Sequence, residues 1–307
     1  MIKVENLCVK YGNFTAVNQV SFQVREGEIF GLIGRNGAGK TSVIETLEGL
    51  RKRAEGEIRI DGIDPGKPSN KSALYDRIAV QLQDTMYPER ARVEELCRLF
   101  SSLSRNSSPY SDLLARFGLT EKKGAFVHQL SGGQKQKLSI VLALLSDPKI
   151  LFLDEITTGL DAHARHEIWD YLTALKEEGM TIILISHFMD DIEATCDRIG
   201  IMQKGRLLHL GTQEELTRKS NLGRGVEFVA QEGLADRLKK IPGVQDVAYR
   251  KDRYRISSTE EIAGRIAAFL QDQNISYYSF ATTQSSLEEV FMQLTGEKIG
   301  EQEEGIA

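Results

Sequence analysis

A chain of 307 residues has room for one large domain, or for one of about 200 residues plus a smaller one. Its 41% hydrophobic and 27% charged content is that of an ordinary globular protein. The formal net charge of -5 and pI near 5.7 argue against a dominant nucleic-acid partner, which calls for a basic face. The short basic clusters at 51–53 and 122–123 read as solvated surface. Cys8, Cys97 and Cys196 are far apart and form no CxxC pair, which fits buried thiols in a reducing compartment and no disulfide or zinc framework. No run approaches the ~20 apolar residues that span a bilayer, and the N-terminus has no signal-like apolar stretch. The expected chain is cytosolic, with any membrane location supplied by a partner.

Taken in order, residues 1–30 alternate as strands do, with turns at Gly12-Asn13 and Glu26-Gly27. A short apolar strand over 28–34 precedes a helix over 41–50, whose Val43, Ile44, Leu47 and Leu50 share a face. Residues 93–145 read as mainly helical, interrupted by a serine-rich loop at 101–111. Buried strands at 150–153 and 181–185 flank a helix near 165–178, and this alternation predicts a parallel α/β sheet. Composition shifts at 217–225, read as a linker. Beyond it the pattern gives strand 226–230, helix 233–240, strands 244–250 and 252–257, helix 259–273, strand 275–281 and helix 286–295. Capping boxes are expected at Ser258 with Glu261 and at Ser285 with Glu288. The order βαββαβ suggests a small ferredoxin-like domain, followed by an acidic tail after Gly296.

Two glycine-bearing loops carry the chemistry. Gly34, Arg35, Asn36, Gly37, Ala38, Gly39, Lys40 and Thr41 match GxxxxGK[ST] between a strand and a helix. There backbone N–H groups and the helix dipole face a phosphate, Lys40 reaches the β- and γ-phosphates, and the Thr41 hydroxyl holds Mg²⁺. This alone says only that the chain is an NTPase. Asp154 and Glu155 end the apolar strand at 150–153, where one acid can bind Mg²⁺ and the other can polarise an attacking water. Such a pair is common at strand ends and gains meaning only beside the loop at Gly34. Leu130, Ser131, Gly132, Gly133 and Gln134 open a second helix, with Ser131 placed to cap it, and again offer N–H groups to an anion. Two phosphate cradles nearly 100 residues apart do not fit one self-contained site.

These motifs, in this order, resemble the ABC (ATP-binding cassette) ATPase family over residues 1 to about 215. The resemblance implies an α/β P-loop NTPase (RecA-like) cassette with antiparallel β and helical subdomains, plus the small α+β domain. Expected bounds are 1–216 for the cassette (helical subdomain about 84–145), 217–225 for the linker, 226–296 for the C-terminal domain and 297–307 for the tail. It further implies that Tyr11 stacks on adenine. Ser42 supplies a second hydroxyl in the loop, where threonine is commoner. Gln83 touches Mg²⁺ and the attacking water, with Gln81 a rival only if the register slips. Asp161 communicates across a dimer, and His187 contacts the γ-phosphate. His163 and His166 are read as surface residues. Ile156 stands where the family usually has proline.

Residues 186–191, 205–211 and 286–296 resemble more specifically the cytosolic subunits of ABC-2-type exporters, which include drug-, antibiotic- and sodium-export ATPases. The implied cofactors are ATP and Mg²⁺. The implied partners are a separate transmembrane permease and a second cassette, most simply a homodimer in which each ATP lies between residues 34–42 of one subunit and 131–134 of the other. No nucleic acid is expected. The competing reading is a soluble ABC ATPase in an assembly or regulatory complex. Nothing in the sequence names a substrate.

Overall fold

The N-terminal alternation becomes a hairpin of β1 (Ile2–Tyr11) and β2 (Phe14–Val24). The apolar run that follows is β3 (Ile29–Ile33), every residue of which is buried. Next come α1 (Lys40–Leu47), β4 (Glu55–Ile60), α2 (Lys71–Tyr75) and β5 (Ile78–Gln81). Three helices succeed them: α3 (Val93–Leu103), α4 (Tyr110–Arg116) and α5 (Gly132–Leu144). Then β6 (Ile150–Asp154), α6 (Ala162–Glu177), β7 (Thr181–Ile185), α7 (Met189–Thr195), β8 (Arg198–Gln203) and β9 (Arg206–Gly211) alternate. This computed structural model describes residues 2–81, 87–88, 90–104, 107–220, 225–258, 261–283 and 285–296. The chain divides into two units, the first running to Leu210 and the second beginning at Gly211.

In the first unit an antiparallel sheet in the order β2-β1-β4 stands beside a six-stranded sheet in the order β5-β6-β7-β3-β8-β9. Contacts of β3 with β7 and β8, and of β6 with β5 and β7, are parallel. Strands β3 and β7 are buried throughout, as expected of parallel strands covered on both faces. One core joins both sheets, with Phe22 of β2 stacked on Phe30 of β3 at 5.3 Å between ring centroids. Because β3, β6 and β7 run the same way, their C-terminal ends open at one edge of the sheet, where α/β folds bind ligands. Lys204 and Gly205, both with positive φ, make the tight turn from β8 to β9.

The second unit contains α8 (Gln213–Lys219), β10 (Gly225–Ala230), α9 (Ala235–Leu238), β11 (Val244–Arg250), β12 (Arg253–Ser258), α10 (Ala263–Asp272), β13 (Tyr277–Thr283) and α11 (Leu287–Thr295). Its antiparallel sheet has the order β11-β12-β10-β13, which puts the first and third strands of the βαββαβ run in the middle, the ferredoxin-like arrangement. Leu234, Leu238, Ile266 and Leu270 close its core over Phe228, Tyr254 and Ile256.

Several sequence expectations shift in detail. Thr217, Arg218 and Lys219, expected to begin a linker, are the last turn of α8, because Thr212 and Glu215 form a capping box that starts a helix there, and α8 packs on α11. The serine-rich loop is shorter than expected, since 101–103 complete α3 and 110–111 begin α4. Helix α1 stops at Leu47, not 50, ahead of Gly49 in the left-handed region. Ser258 does not cap α10: it is the last residue of β12, paired with Val244, and α10 begins at Ala263. The final capping box is Ser286 with Glu289, one residue later than Ser285 with Glu288.

Candidate functional site

The phosphate-type loop joins β3 to α1. Gly37 and Gly39 lie at φ 78° and 99°, and a Cβ at Gly39 would stand 2.5 Å from the Ala16 carbonyl oxygen, so only glycine fits there. The loop is braced from behind, where Gly205 N–H donates to the Ala38 carbonyl at 3.0 Å and the Gly205 carbonyl accepts from Asn18 N–H at 2.8 Å. Lys40 Nζ donates to the carbonyls of Gly34 (2.7 Å) and Arg35 (3.2 Å), spanning the loop. Burial holds the Lys40 ammonium below its ordinary range, while Glu155 and then Asp154 pull it back up. The first N–H groups of α1 have no acceptor within their own helix and so remain available to an anion.

The two acids lie where β6 ends. Burial, and then the neighbouring Glu155 carboxylate, push Asp154 up to about 6 against the pull of Lys40. Glu155 adopts φ 51°, a conformation costly for a residue with a side chain. Its N–H donates to the Ile185 carbonyl at 2.9 Å, which ties the end of β6 to the end of β7. That tie brings the Glu155 carboxylate to 2.9 Å from Nδ1 of His187, on the loop after β7.

Tyr11, Asn36, Gly37, Ala38, Gly39, Lys40, Thr41, Ser42, Asp154 and Glu155 line one cavity of about 550 Å³. Gly34 and Arg35 meet it through Lys40, and His187 through Glu155. Gln83 lies outside the described residues. Ser131, Gly132, Gly133, Gln134 and Asp161 are not among the residues that line this cavity. Ser131 caps α5, with Gln134 N–H donating to its Oγ and Ser131 N–H donating to Gln134 Oε1. Asp161 caps α6, accepting from Ala164 N–H at 2.8 Å. The two helix starts touch, since a Cβ on Gly133 would meet that of Ala164 at 3.1 Å. Ser131 and Asp161 are both exposed.

Sequence reasoning missed three neighbours of the cavity. Phe14, two-thirds exposed, lines it and pairs directly across the hairpin from Tyr11; the short turn at Gly12-Asn13 was the available signal. Arg51, read as solvated surface, lays its guanidinium over the Tyr11 ring at 4.3 Å and bonds Glu45 at 2.6 Å. Tyr11 OH in turn lies 3.0 Å from Ser42 Oγ. Glu48 closes α1 next to a smaller chamber of about 190 Å³ that Thr41, Glu45, Gln81 and Asp154 also line. Burial, then Asp154 and Glu45, push Glu48 up to about 7. Arg51 and Arg53 are thus engaged, since Arg53 also forks onto Asp64 at 2.8 and 2.9 Å.

Comparison with known proteins agrees with this geometry. A family model described as "ABC transporter" matches residues 17–158, and one described as "ATP-binding protein DrrA1-3-like, C-terminal domain" matches 211–295. The chain is similar to the linearmycin resistance ATP-binding protein LnrL of Bacillus subtilis (strain 168), at 30% identity over 96% of this chain and 98% of that protein. It is likewise 30% identical to the daunorubicin resistance ATP-binding protein DrrA3 of Streptomyces coeruleorubidus, over 96% of each. Among solved structures it resembles an ATP-binding subunit of an ABC transporter, with 29% identity and TM-score 0.64 over 71% of this chain and 92% of that one. It also resembles MJ0796, a bacterial ABC transporter cassette solved as a dimer, with 25% identity and TM-score 0.61 over 69% of this chain and 98% of that one. The chain belongs to the ATP-binding subunits of ABC transporters. It is an ATPase cassette that binds nucleotide and powers membrane transport. No helix among the described residues is long and apolar enough to cross a membrane.

Proposed function

We propose that two copies of this chain close head to tail on two ATP molecules and drive a separate exporter permease at the inner face of the membrane. The observation that carries the reading is the split of the motifs. One surface holds Lys40, Asp154 and the Glu155–His187 pair around a cavity, while Ser131–Gln134, a second anion-binding helix start, stands outside it. A site completed by the partner's residues 131–134 accounts for both. ATP would lie with adenine on Tyr11 and phosphates against residues 34–42.

The donors present suit Mg²⁺. Thr41 and Asp154 present oxygen donors on one cavity wall, the hard donors Mg²⁺ prefers when it is held by one or two protein groups together with phosphate oxygens. The ion would neutralise charge on the β- and γ-phosphates. Glu155 orients and deprotonates the attacking water, and His187, fixed by Glu155, donates to the γ-phosphate. Asp161 communicates across the dimer, and the family resemblance gives Gln83 a role at Mg²⁺ and the attacking water. Loss of the shared γ-phosphate then loosens the interface, and that differential contact does the conformational work.

Two apolar side chains on α3, Leu99 and Leu103, are left exposed one turn apart, which supports permease docking there. The likeness to the linearmycin and daunorubicin resistance proteins over 96% of this chain supports export of an antibiotic- or drug-type compound. The test is the Glu155→Gln chain. It should bind ATP, accumulate as a dimer on size exclusion, and lose turnover by about 10²–10⁴-fold, the usual contribution of a general base. Turnover at the normal rate would end this assignment.

A further inference from the structure

Asp191 sits in the first turn of α7 and is only 1% exposed. A carboxylate so placed is costly to bury unless several donors satisfy it, and three elements supply them. Ser186, the residue after β7, donates through Oγ to Asp191 Oδ2 at 2.8 Å. The Thr157 hydroxyl, from the loop after β6, donates to the same oxygen. The indole Nε1–H of Trp169, on α6, donates to Oδ1 at 3.0 Å. Arg165, also on α6, brings its Nε to 3.7 Å from Oδ1 and lays its guanidinium over the Phe188 ring at 4.6 Å.

The donors adjoin the reacting groups. Thr157 follows Glu155 by two residues. Ser186 immediately precedes His187, and its Oγ also accepts from Phe188 N–H at 3.0 Å, so backbone on both sides of His187 is held through one carboxylate. Trp169 rides on the helix that Asp161 caps. The network joins the two loops that carry the proposed site residues, the β6–α6 loop with Glu155 and Asp161 and the β7–α7 loop with His187.

We propose that Asp191 is a positioning residue for ATP hydrolysis: it holds the Glu155–His187 pair in register and ties that pair to the helix headed by Asp161. This rests on the reading that Glu155 and His187 act on the γ-phosphate. The requirement is for acceptors. Trp169 donates to one carboxylate oxygen and Thr157 and Ser186 to the other, and an amide offers a single oxygen, so it cannot accept from all three as the carboxylate does.

The test uses the full chain with Thr157→Val, Thr157→Ser, Asp191→Asn and Trp169→Phe. Measured are kcat, the ATP Kd in the Glu155→Gln background, and thermal stability. Misplacement of the catalytic pair should lower kcat by about tenfold or more in Thr157→Val and Asp191→Asn, with the ATP Kd within about twofold of the parent. Thr157→Ser, which keeps the hydroxyl, should restore kcat. Trp169→Phe combined with Asp191→Asn should be no worse than Asp191→Asn alone, as residues of one network are non-additive.

Parent-like kcat in folded Thr157→Val and Asp191→Asn would overturn the proposal, and so would ATP affinity falling in step with kcat. If Asp191→Asn does not fold, the Thr157→Val and Thr157→Ser pair decides, since Val keeps the shape of threonine without its hydroxyl and Ser keeps the hydroxyl without the methyl. Normal turnover by Glu155→Gln would instead place the fault in the underlying catalytic reading.

Discussion

Replacing Glu48 by glutamine should stabilise the cassette in a strongly pH-dependent way. Glu48 is 3% exposed, beside a chamber it shares with Asp154 and Glu45. Burial, then those two acids, raise its carboxyl from the ordinary 4.5 to about 7. A folded-state value above the unfolded one means that folding takes up a proton, so stability is highest at low pH and falls as pH rises from about 4.5 through about 7. The rise, 7 minus 4.5, is about 2.5 pH units, and at about 1.4 kcal/mol per unit this costs about 3 kcal/mol above neutrality. Glutamine removes the charge but still buries an amide, which takes back about 1 kcal/mol. The expected net gain is therefore about 2 kcal/mol at pH 8, or about 4–8 °C in Tm for a unit of this size, with little or no gain at pH 5. Thermal unfolding of parent and variant by circular dichroism at pH 5, 6, 7 and 8 reads this directly. A Tm difference that stays constant across that range would refute the reasoning, because a Glu48 that titrates near 7 must make the two curves diverge between pH 5 and 8.

Four other outcomes are expected. Phe14→Ala should weaken ATP about five- to tenfold, the loss of one stacking contact, while leaving inorganic tripolyphosphate unchanged by calorimetry; equal loss for both would mean that Phe14 does not meet the base. Gly39→Ala should destabilise the cassette by about 2 kcal/mol or more and abolish ATP binding, since its Cβ meets the Ala16 carbonyl at 2.5 Å with φ at 99°. Gly37→Ala, which meets nothing within 4 Å, should cost only about 1 kcal/mol in the same melt. Gly133→Ala should reduce ATPase activity by crowding Ala164 at 3.1 Å, and adding Ala164→Gly should restore it; no recovery in the double variant would show that the contact between the two helix starts is not what matters.

The legible parts of this protein are those that local pattern dictates. The loop at residues 34–41 needs glycine, lysine and threonine at fixed offsets between a strand and a helix, and all are contiguous. The βαββαβ run was readable in outline, because apolar stretches such as β10 and a one-faced helix such as α10, with Ile266 and Leu270 buried, stand between turn signals. Capping was less so. Ser285-Ser286-Leu287-Glu288-Glu289 offers two boxes of identical spacing, and only the burial of Leu287, Val290 and Phe291 selects Ser286 with Glu289. Ser258 misled for a related reason: sheet pairing with Val244 extends β12 through it. Arg51, Glu48 and Asp191 acquire meaning only from partners far along the chain, as when Arg51 reaches Tyr11 or Asp191 reaches Thr157. A basic cluster, a helix-end acid and a charged first turn carry no local mark of such contacts.

The same long-range contacts bear on how two half-sites could act together. Ser131 and Asp161 cap neighbouring helices whose starts are so close that a methyl group on Gly133 would crowd Ala164. Helix α6 then carries Trp169 to Asp191, and Asp191 carries Ser186 next to His187. Every step is a direct packing contact, hydrogen bond or covalent neighbour. The surface we propose to receive a partner's nucleotide is thus connected, within one chain, to the pair we propose to cleave its own. Contiguity alone does not establish coupling, which requires an element with two arrangements that both sites bias. Helix α6 is the candidate, since it is the only member of this series in contact with both the Gly133 side and the Asp191 side. If closure on the partner's ATP displaces α6, the displacement must either carry Asp191 with it or stretch the Trp169 bond. The first alternative moves the Glu155–His187 pair as a unit, so hydrolysis at one site would depend on occupancy of the other.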